Sequence, residues 1–316
     1  MEIPIADLHV DTASKLFDGR SLYDNNGMVS IKKMIEGFVR LQFFAMFIFM
    51  ADFKSYDEGY NHLKKMNDLF MEEASKNKEH LSIVKTYEHI TQTAKSNKIA
   101  GLTGLEEGGI IDNKPGRVRE LYDMGIRLIT LLWNFENCIG YPNSDDSNIM
   151  NARLKDFGFE VISLMDELGM LIDVSHLSDR GFFDVLEAAK NPVVASHSNA
   201  RTVFGHRRNL SDKMLRTLSE KGGVVGLNFY DQFLGAGGSR IEKITAHAKH
   251  IHNIAGIDVL SMGSDFDGFD DEGGFVDCTI YPSLTDSFLR AGFSYGEIEK
   301  ICYGNVMRVL REVLKT

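Results

Sequence analysis

The sequence predicts a (β/α)8 barrel, and three observations carry that expectation. Eight short apolar runs alternate with longer amphipathic segments. Gly125, Gly169, Gly222 and Gly256 each close a helical pattern and are followed by an apolar run, the helix–glycine–strand order of right-handed βαβ units. At 316 residues the chain is long for one domain of most folds but ordinary for this one. No linker or low-complexity tract interrupts the alternation, so a single barrel domain over residues 1–316 is expected.

In order, the expected strands are 5–11, 41–49, 98–106, 127–133, 170–176, 192–197, 223–229 and 259–265. The first is a short apolar run that ends in His9 and Asp11. Helical patterns fall at 30–37, then at 56–76 and 86–96, which together fill the longest gap between strands. Further helical patterns follow at 114–124, 151–168, 178–189, 211–221 and 241–255, and a longer one at 294–314 closes the chain. Ser178 and Ser211 stand where N-caps belong. The polar segment 138–149 has the composition of a loop able to cover a site.

Composition excludes several functions. With 43% hydrophobic and 25% charged residues the chain is ordinarily globular, with ample material for one large core. Net charge is −10 and no basic stripe offsets it, which argues against nucleic acid and anionic membrane as partners. Cys138, Cys278 and Cys302 are too few and too scattered for a disulfide framework or a cysteine zinc site, and they point to a reducing compartment. The first strand begins within a few residues of Met1, which leaves no room for a signal peptide. The longest apolar run, 43–51, is too short to span a bilayer, so a cytoplasmic location is expected.

In this barrel class the active site lies at the C-terminal ends of the strands. Those ends carry His9 and Asp11 on the first strand, Glu106 on the third, His176 on the fifth, His197 on the sixth and Asp265 on the eighth. Any one of them has a bland explanation, since polar residues close strands everywhere and Asp-x-Asp-Gly is a plain turn. Metal-type ligands at five strand ends are much harder to obtain by accident. Clustered buried carboxylates repel one another and need cations. The set exceeds the three protein ligands of one catalytic zinc and suits a pair of metals about 3.5–4 Å apart.

The motifs His9-Val-Asp11, Gly104-Leu-Glu-Glu-Gly-Gly109, Ile172-Asp-Val-Ser-His176, Ser196-His197-Ser198, Arg207-Arg-Asn209 and Gly263-Ser-Asp-Phe-Asp-Gly268 occur in this order, and Asn305-Val-Met-Arg308 lies near the end. The chain resembles the membrane (renal-type) dipeptidases, zinc metallopeptidase family M19, and looks most like a bacterial, soluble member. The resemblance implies a barrel with two zinc ions. One is held by His9, Asp11 and Asp265, the other by His176 and His197, and a glutamate bridges them. The family motif has one glutamate before Gly-Gly and this chain has two. Spacing to the 129–133 strand and strand position select Glu106, whereas matching Glu-Gly-Gly selects Glu107. Arg208 matches an arginine associated with the substrate carboxylate, and bidentate pairing gives that role a physical reason. Where some members carry a substrate-contacting histidine, this chain has Trp133, which can shape a pocket but cannot protonate an oxyanion. Asn134 and Asn137 are open candidates for part of that role. The resemblance also implies a homodimer.

The expected reaction is dipeptide hydrolysis by a hydroxide bridging the two zinc ions. Glu106 and Asp265 are the catalytic candidates, with Asp265 taking the water proton and passing it to the leaving amine. Arg208 and Trp133 are the substrate-binding candidates, and a D-residue in second position is compatible with the resemblance. Two other readings stand beside it. One is an amidohydrolase-type enzyme acting on a lactone or cyclic amide, against which no expected strand ends in the lysine that commonly bridges such metals. The other is a catalytically silent metal-binding barrel. His62, His80, His89, His247, His250 and His252 fall within or beside helical patterns and are expected at the surface, and His206 is assigned no role.

Overall fold

A computed structural model describes residues 2–270 and 276–315. All eight expected strands form, and all pair in parallel: β1 (Ile5–Val10), β2 (Val39–Phe47), β4 (Ile99–Glu106), β5 (Ile126–Thr130), β6 (Leu171–Asp173), β7 (Val194–Ala195), β8 (Val224–Leu227) and β9 (Leu260–Met262). The ladder runs from β2 through β1, β9, β8, β7, β6 and β5 to β4, and β4 pairs back onto β2, which closes the cylinder. This is a (β/α)8 barrel, as the alternation predicts. An additional short strand that the sequence reading did not include, β3 (Leu81–Ile83), pairs with the start of β4. Because β2 occupies one edge of β4 from Ala100 to Glu106, β3 takes the other edge, below β5.

Two apolar clusters follow from strand alternation. Ala6, Leu8, Leu41, Phe43, Ala100, Leu102, Leu128, Leu171, Val194 and Val224 join residues of seven barrel strands, so they fill the interior. Val306, Val309, Leu310 and Val313 of the closing helix Asn305–Val313 plug that interior from one end. The larger cluster lies between the barrel and the outer helices. On β4 the inward row Ala100, Leu102, Gly104 ends in Glu106, so strand period alone delivers that carboxylate to the open end.

The helix boundaries obey local chemistry. Ser178 and Ser211 cap as expected, accepting from the backbone N–H of Gly181 and Met214. Gly125, Gly169, Gly222 and Gly256 all take positive φ. The 294–314 pattern is interrupted by a π-helical turn, Lys300–Gly304, between Tyr295–Glu299 and Asn305–Val313. The helix Tyr281–Arg290 was not anticipated. Its Pro282 sits in the first turn, where a missing N–H does no harm.

Seven strands stop one to three residues short of the sequence expectation, and in three of them the shortfall leaves an expected ligand two or three residues past the strand: β6 ends at Asp173, β7 at Ala195 and β9 at Met262. For these three the cause is a pair of buried carboxylates that take over the ladder donors. Asp173 accepts the N–H groups of Ser175 (3.0 Å) and Ser196 (2.8 Å). Asp7 accepts those of His9 (3.1 Å) and Ser264 (2.9 Å). His176, His197 and Asp265 therefore sit on turns just beyond the strands rather than within them. Gly263 and Gly226 complete this end, because a Cβ at either would collide with the Ser196 carbonyl. Among the described residues no helix is long and apolar enough to cross a membrane.

Candidate metal centre

Six side chains from five strands converge at this rim: His9, Asp11, Glu106, His176, His197 and Asp265. Ligand atoms of His9, Glu106 and His197 lie within 4.8 Å of one another, and so do those of His9, Asp11 and Asp265. Glu106 stands between the two halves. Its Oε2 is 3.3 Å from His9 Nε2, while its Oε1 is 3.2 Å from His176 Nε2 and 3.6 Å from His197 Nε2. On the other side of His9, Asp11 Oδ2 lies 3.5 Å and Asp265 Oδ1 3.9 Å from Nε2.

Glu107 points elsewhere. Its backbone turns to φ 95, and its carboxylate accepts from the N–H groups of Gly109 and Trp133 and from Asn137 Nδ2. The two adjacent glutamates thus do different work, one facing the ligand cluster and one organising the loop after β5. Asn137 belongs to that loop scaffold, whereas Asn134 Oδ1 meets His176 Nδ1 at 2.9 Å.

The surrounding contacts fix which ring nitrogens are free. Ser196 Oγ donates to Asp173 Oδ2 (2.5 Å), so its lone pair receives the His197 Nδ1 proton at 2.7 Å. Asn134 Oδ1 receives the His176 Nδ1 proton in the same way. Both Nε2 atoms then carry lone pairs, and they face each other at 3.0 Å. Two lone pairs at that separation repel unless a cation lies between or beside them. Asp11 Oδ1 and both ring nitrogens of His9 are buried without a hydrogen-bond partner. A cluster with three carboxylates, two opposed imidazole lone pairs and buried orphan acceptors has the donor chemistry of a divalent metal site.

The proton affinities tell the same story. Burial works against a charge on His9, but Glu106 and Asp11 outweigh it and hold the imidazole well above its ordinary range. Burial pushes His176 down to about 4, helped by Arg208, and pushes His197 well below the usual imidazole value, helped by His9. Burial raises the Asp265 carboxyl to about 7; His9 opposes that rise, and Asp11 and Glu106 add to it. Neutral His176 and His197 are in the form that ligates metal.

Backbone strain is concentrated here. His176 has φ 70 and Asp265 φ 65, a region L-residues rarely adopt. Asn143, in the 138–149 loop, holds His176 in that conformation by donating both its backbone N–H (2.7 Å) and its Nδ2 (2.9 Å) to the His176 carbonyl. Asn228 Nδ2 donates to Asp265 Oδ2 (2.9 Å), which leaves Oδ1 toward His9. A Cβ at Gly268 would strike the carboxylates of Asp11 and Asp265, so only glycine lets the two converge.

A cavity of about 350 Å³ opens onto the cluster. Arg208, 5% exposed, reaches its wall and donates to the His197 carbonyl (3.0 Å) and Ser198 Oγ (3.3 Å). Its guanidinium lies over the Phe233 ring, and no carboxylate pairs with it in a salt bridge among the described residues. Arg207, by contrast, is exposed and pairs with Asp145. Trp133 is half-buried on the opposite wall. His206 also lines the cavity, its Nδ1 accepting the Arg208 N–H at 3.1 Å.

Sequence reasoning missed Asp7, Asp173, Ser196, Asn143 and Asn228, which act on the cluster through hydrogen bonds. It also misjudged His247, which is fully buried. Nδ1 of His247 accepts the Ala200 N–H (3.1 Å) and Nε2 meets the Leu234 carbonyl. The signal was available: Ile244, Ala248 and Ile251 define a buried stripe on the same helix, and His247 lies in it.

Comparison with known proteins decides the family. The model of the membrane dipeptidases, peptidase family M19, matches residues 1–316. The chain belongs to that family. It is 33% identical over 304 residues to an uncharacterized dipeptidase of Schizosaccharomyces pombe, covering 91% of this chain and 73% of that one. It is 32% identical over 234 residues to the dipeptidase verJ of Clonostachys rogersoniana, covering 74% of this chain and 60% of that one. In three dimensions it is similar to dipeptidase AC, an M19 metallopeptidase (TM-score 0.91, 24% identity, 100% of both chains). It is also similar to a Rhodobacter sphaeroides metallopeptidase solved with a phosphinate mimic of L-Ala-D-Ala (TM-score 0.89, 23% identity, 98% and 99% of the two chains). This M19 dipeptidase is accordingly a metal-dependent hydrolase.

Proposed function

We propose that this M19 dipeptidase cleaves the single peptide bond of dipeptides at a two-zinc centre. His9, Asp11 and Asp265 would hold one ion, His176 and His197 would hold the other, and Glu106 would serve both. The observation that carries this reading is the division of the Glu106 carboxylate, one oxygen toward His9 and the other toward the His176–His197 pair. Two zinc ions, when bound, supply a hydroxide nucleophile at neutral pH and a Lewis acid for the carbonyl oxygen.

The protein's own groups do the rest. Asp265, with Oδ2 tied to Asn228, Oδ1 turned toward His9 and the residue lining the cavity, receives the proton of the attacking water and returns it to the departing amine. Arg208 receives the C-terminal carboxylate, and its seat on the cavity wall limits substrates to two residues. Trp133 borders the reacting group without a proton to give. A D-configured second residue is accepted, and the chain works as one barrel domain, as a homodimer. The three unpaired cysteines support a cytoplasmic setting.

The test is metal analysis of the purified protein followed by assay on dipeptides that include L-Ala-D-Ala. Two zinc ions per chain and turnover of dipeptides but not tripeptides are expected. His176→Ala should lose turnover while its circular dichroism is unchanged. Full activity in that variant would overturn the assignment.

A further inference from the structure

The rim carries an aromatic patch that the chemistry described so far does not use. The Trp133 ring lies 5.0 Å from Phe47, 5.5 Å from Phe49 and 5.6 Å from Phe135, and Phe49 is 6.0 Å from Phe135. Phe49 and Phe135 are 36% and 45% exposed. Four aromatic rings in one contact network, partly facing water beside a cavity, form an unusual surface for a protein of this charge.

Its place in the barrel gives it a direction. Phe47 ends β2 and Trp133 follows β5, the two barrel strands that flank β4, which carries Glu106. Arg208, on the loop after β7, and its stacking partner Phe233, on the short helix Asp231–Leu234 after β8, lie across the cylinder. The cluster therefore lies between a cationic wall and an aromatic wall, with the Trp133 ring 6.3 Å from that of His176. A dipeptide with its carboxylate at Arg208 and its carbonyl at the cluster sends its first residue toward the aromatic side. The wall is also held in place: Glu107 accepts the Trp133 N–H (3.1 Å) and, through Asn137, braces the same loop.

We propose that Trp133, with Phe47 beside it and Phe49 and Phe135 behind, selects dipeptides whose first residue is large and apolar, such as phenylalanine or leucine. This rests on the dipeptidase reading. The physical basis is removal of apolar surface from water on both sides of the contact, with ring-on-ring contact adding to it for aromatic substrates. A wall open on one side gives part of the discrimination of a closed pocket, where a single methylene changes rates by roughly 10–200-fold.

The test uses the zinc-loaded enzyme and a series of dipeptides, Gly-Ala, Ala-Ala, Leu-Ala and Phe-Ala, with Ala-Gly and Ala-Phe as the reversed pair. kcat/KM should rise by about tenfold to a hundredfold from Gly-Ala to Phe-Ala. Trp133→Ser should reduce the Phe-Ala to Gly-Ala ratio by about tenfold or more, with a smaller effect on the Ala-Phe to Ala-Gly ratio. Phe135→Ser, at an exposed position that tolerates the change, should reduce the first ratio by a smaller factor. A flat series in the wild type, or an unchanged ratio in Trp133→Ser, overturns the aromatic wall while the dipeptidase reading stands. Failure to hydrolyse any dipeptide overturns both.

Discussion

Replacing Glu106 by glutamine tests the shared carboxylate with the least change of shape. Glutamine keeps one acceptor oxygen, removes one negative charge and turns an N–H2 group toward either His9 or the His176–His197 pair. Glu106 stands 3.2–3.6 Å from three imidazole nitrogens that would ligate the ions. An ion held between those nitrogens and the carboxylate would lie no farther than about 3.5 Å from the latter, where at an effective dielectric constant of about 20 a pair of unit charges interacts by about 5 kcal/mol. Relief of the carboxylate's own burial offsets part of this, so a net loss of about 3–4 kcal/mol in metal binding is expected, or roughly 10²–10³-fold in affinity. Glu107→Gln is the control. It disturbs acceptors for Gly109, Trp133 and Asn137, with an expected destabilisation of about 1–3 kcal/mol but no loss of metal. Metal content after dialysis against a graded series of chelator concentrations reads both variants, and urea melts report their stability. Two tightly held ions in Glu106→Gln, or their loss in Glu107→Gln alone, would refute the reasoning.

Three other predictions follow from neighbouring groups. Asp173→Asn should weaken zinc binding by about 10–100-fold, measured by competition with a chromophoric chelator, because Asp173 sets the His197 tautomer through Ser196. Arg208→Lys should raise KM for dipeptides by roughly tenfold to a hundredfold with kcat and metal content little changed, since it removes binding shared by ground and transition states. His247 should make the metal-free protein acid-sensitive. Burial depresses its folded-state pKa to about 4, against about 6.5 unfolded, so the unfolded chain binds the extra proton and stability falls as pH drops below the unfolded value. That contribution amounts to about 2 kcal/mol lost between pH 7 and pH 5. Urea melts of the metal-free protein and of His247→Asn should therefore differ in pH slope, with the variant shallower.

Much of the site was legible because a parallel barrel makes few demands on inference. Every strand delivers its last residues to one rim, so residue type and strand end together were enough to gather His9, Asp11, Glu106, His176, His197 and Asp265. Glu106 and Glu107 could not be separated by motif alone. What separates them is the backbone, which leaves the strand after Glu106 and turns to φ 95 at the next residue. The groups that hold the cluster were harder to see because their partners are remote in sequence. Asp7 meets Ser264 across 257 positions, and Asn228 meets Asp265 across 37. Nothing in a one-dimensional pattern distinguishes such a residue from a turn aspartate or asparagine. The short β3 and the helix Tyr281–Arg290 escaped for a related reason, since three residues define no period and Pro282 reads as a break.

The central claim is that these six side chains hold two cations with Glu106 between them. Anomalous diffraction at the zinc edge from crystals of the zinc-loaded protein addresses it directly. Two peaks are expected, one contacted by His9, Asp11 and Asp265, the other by His176 and His197, and both by Glu106. A single peak, or a second one away from His176 and His197, would contradict the account.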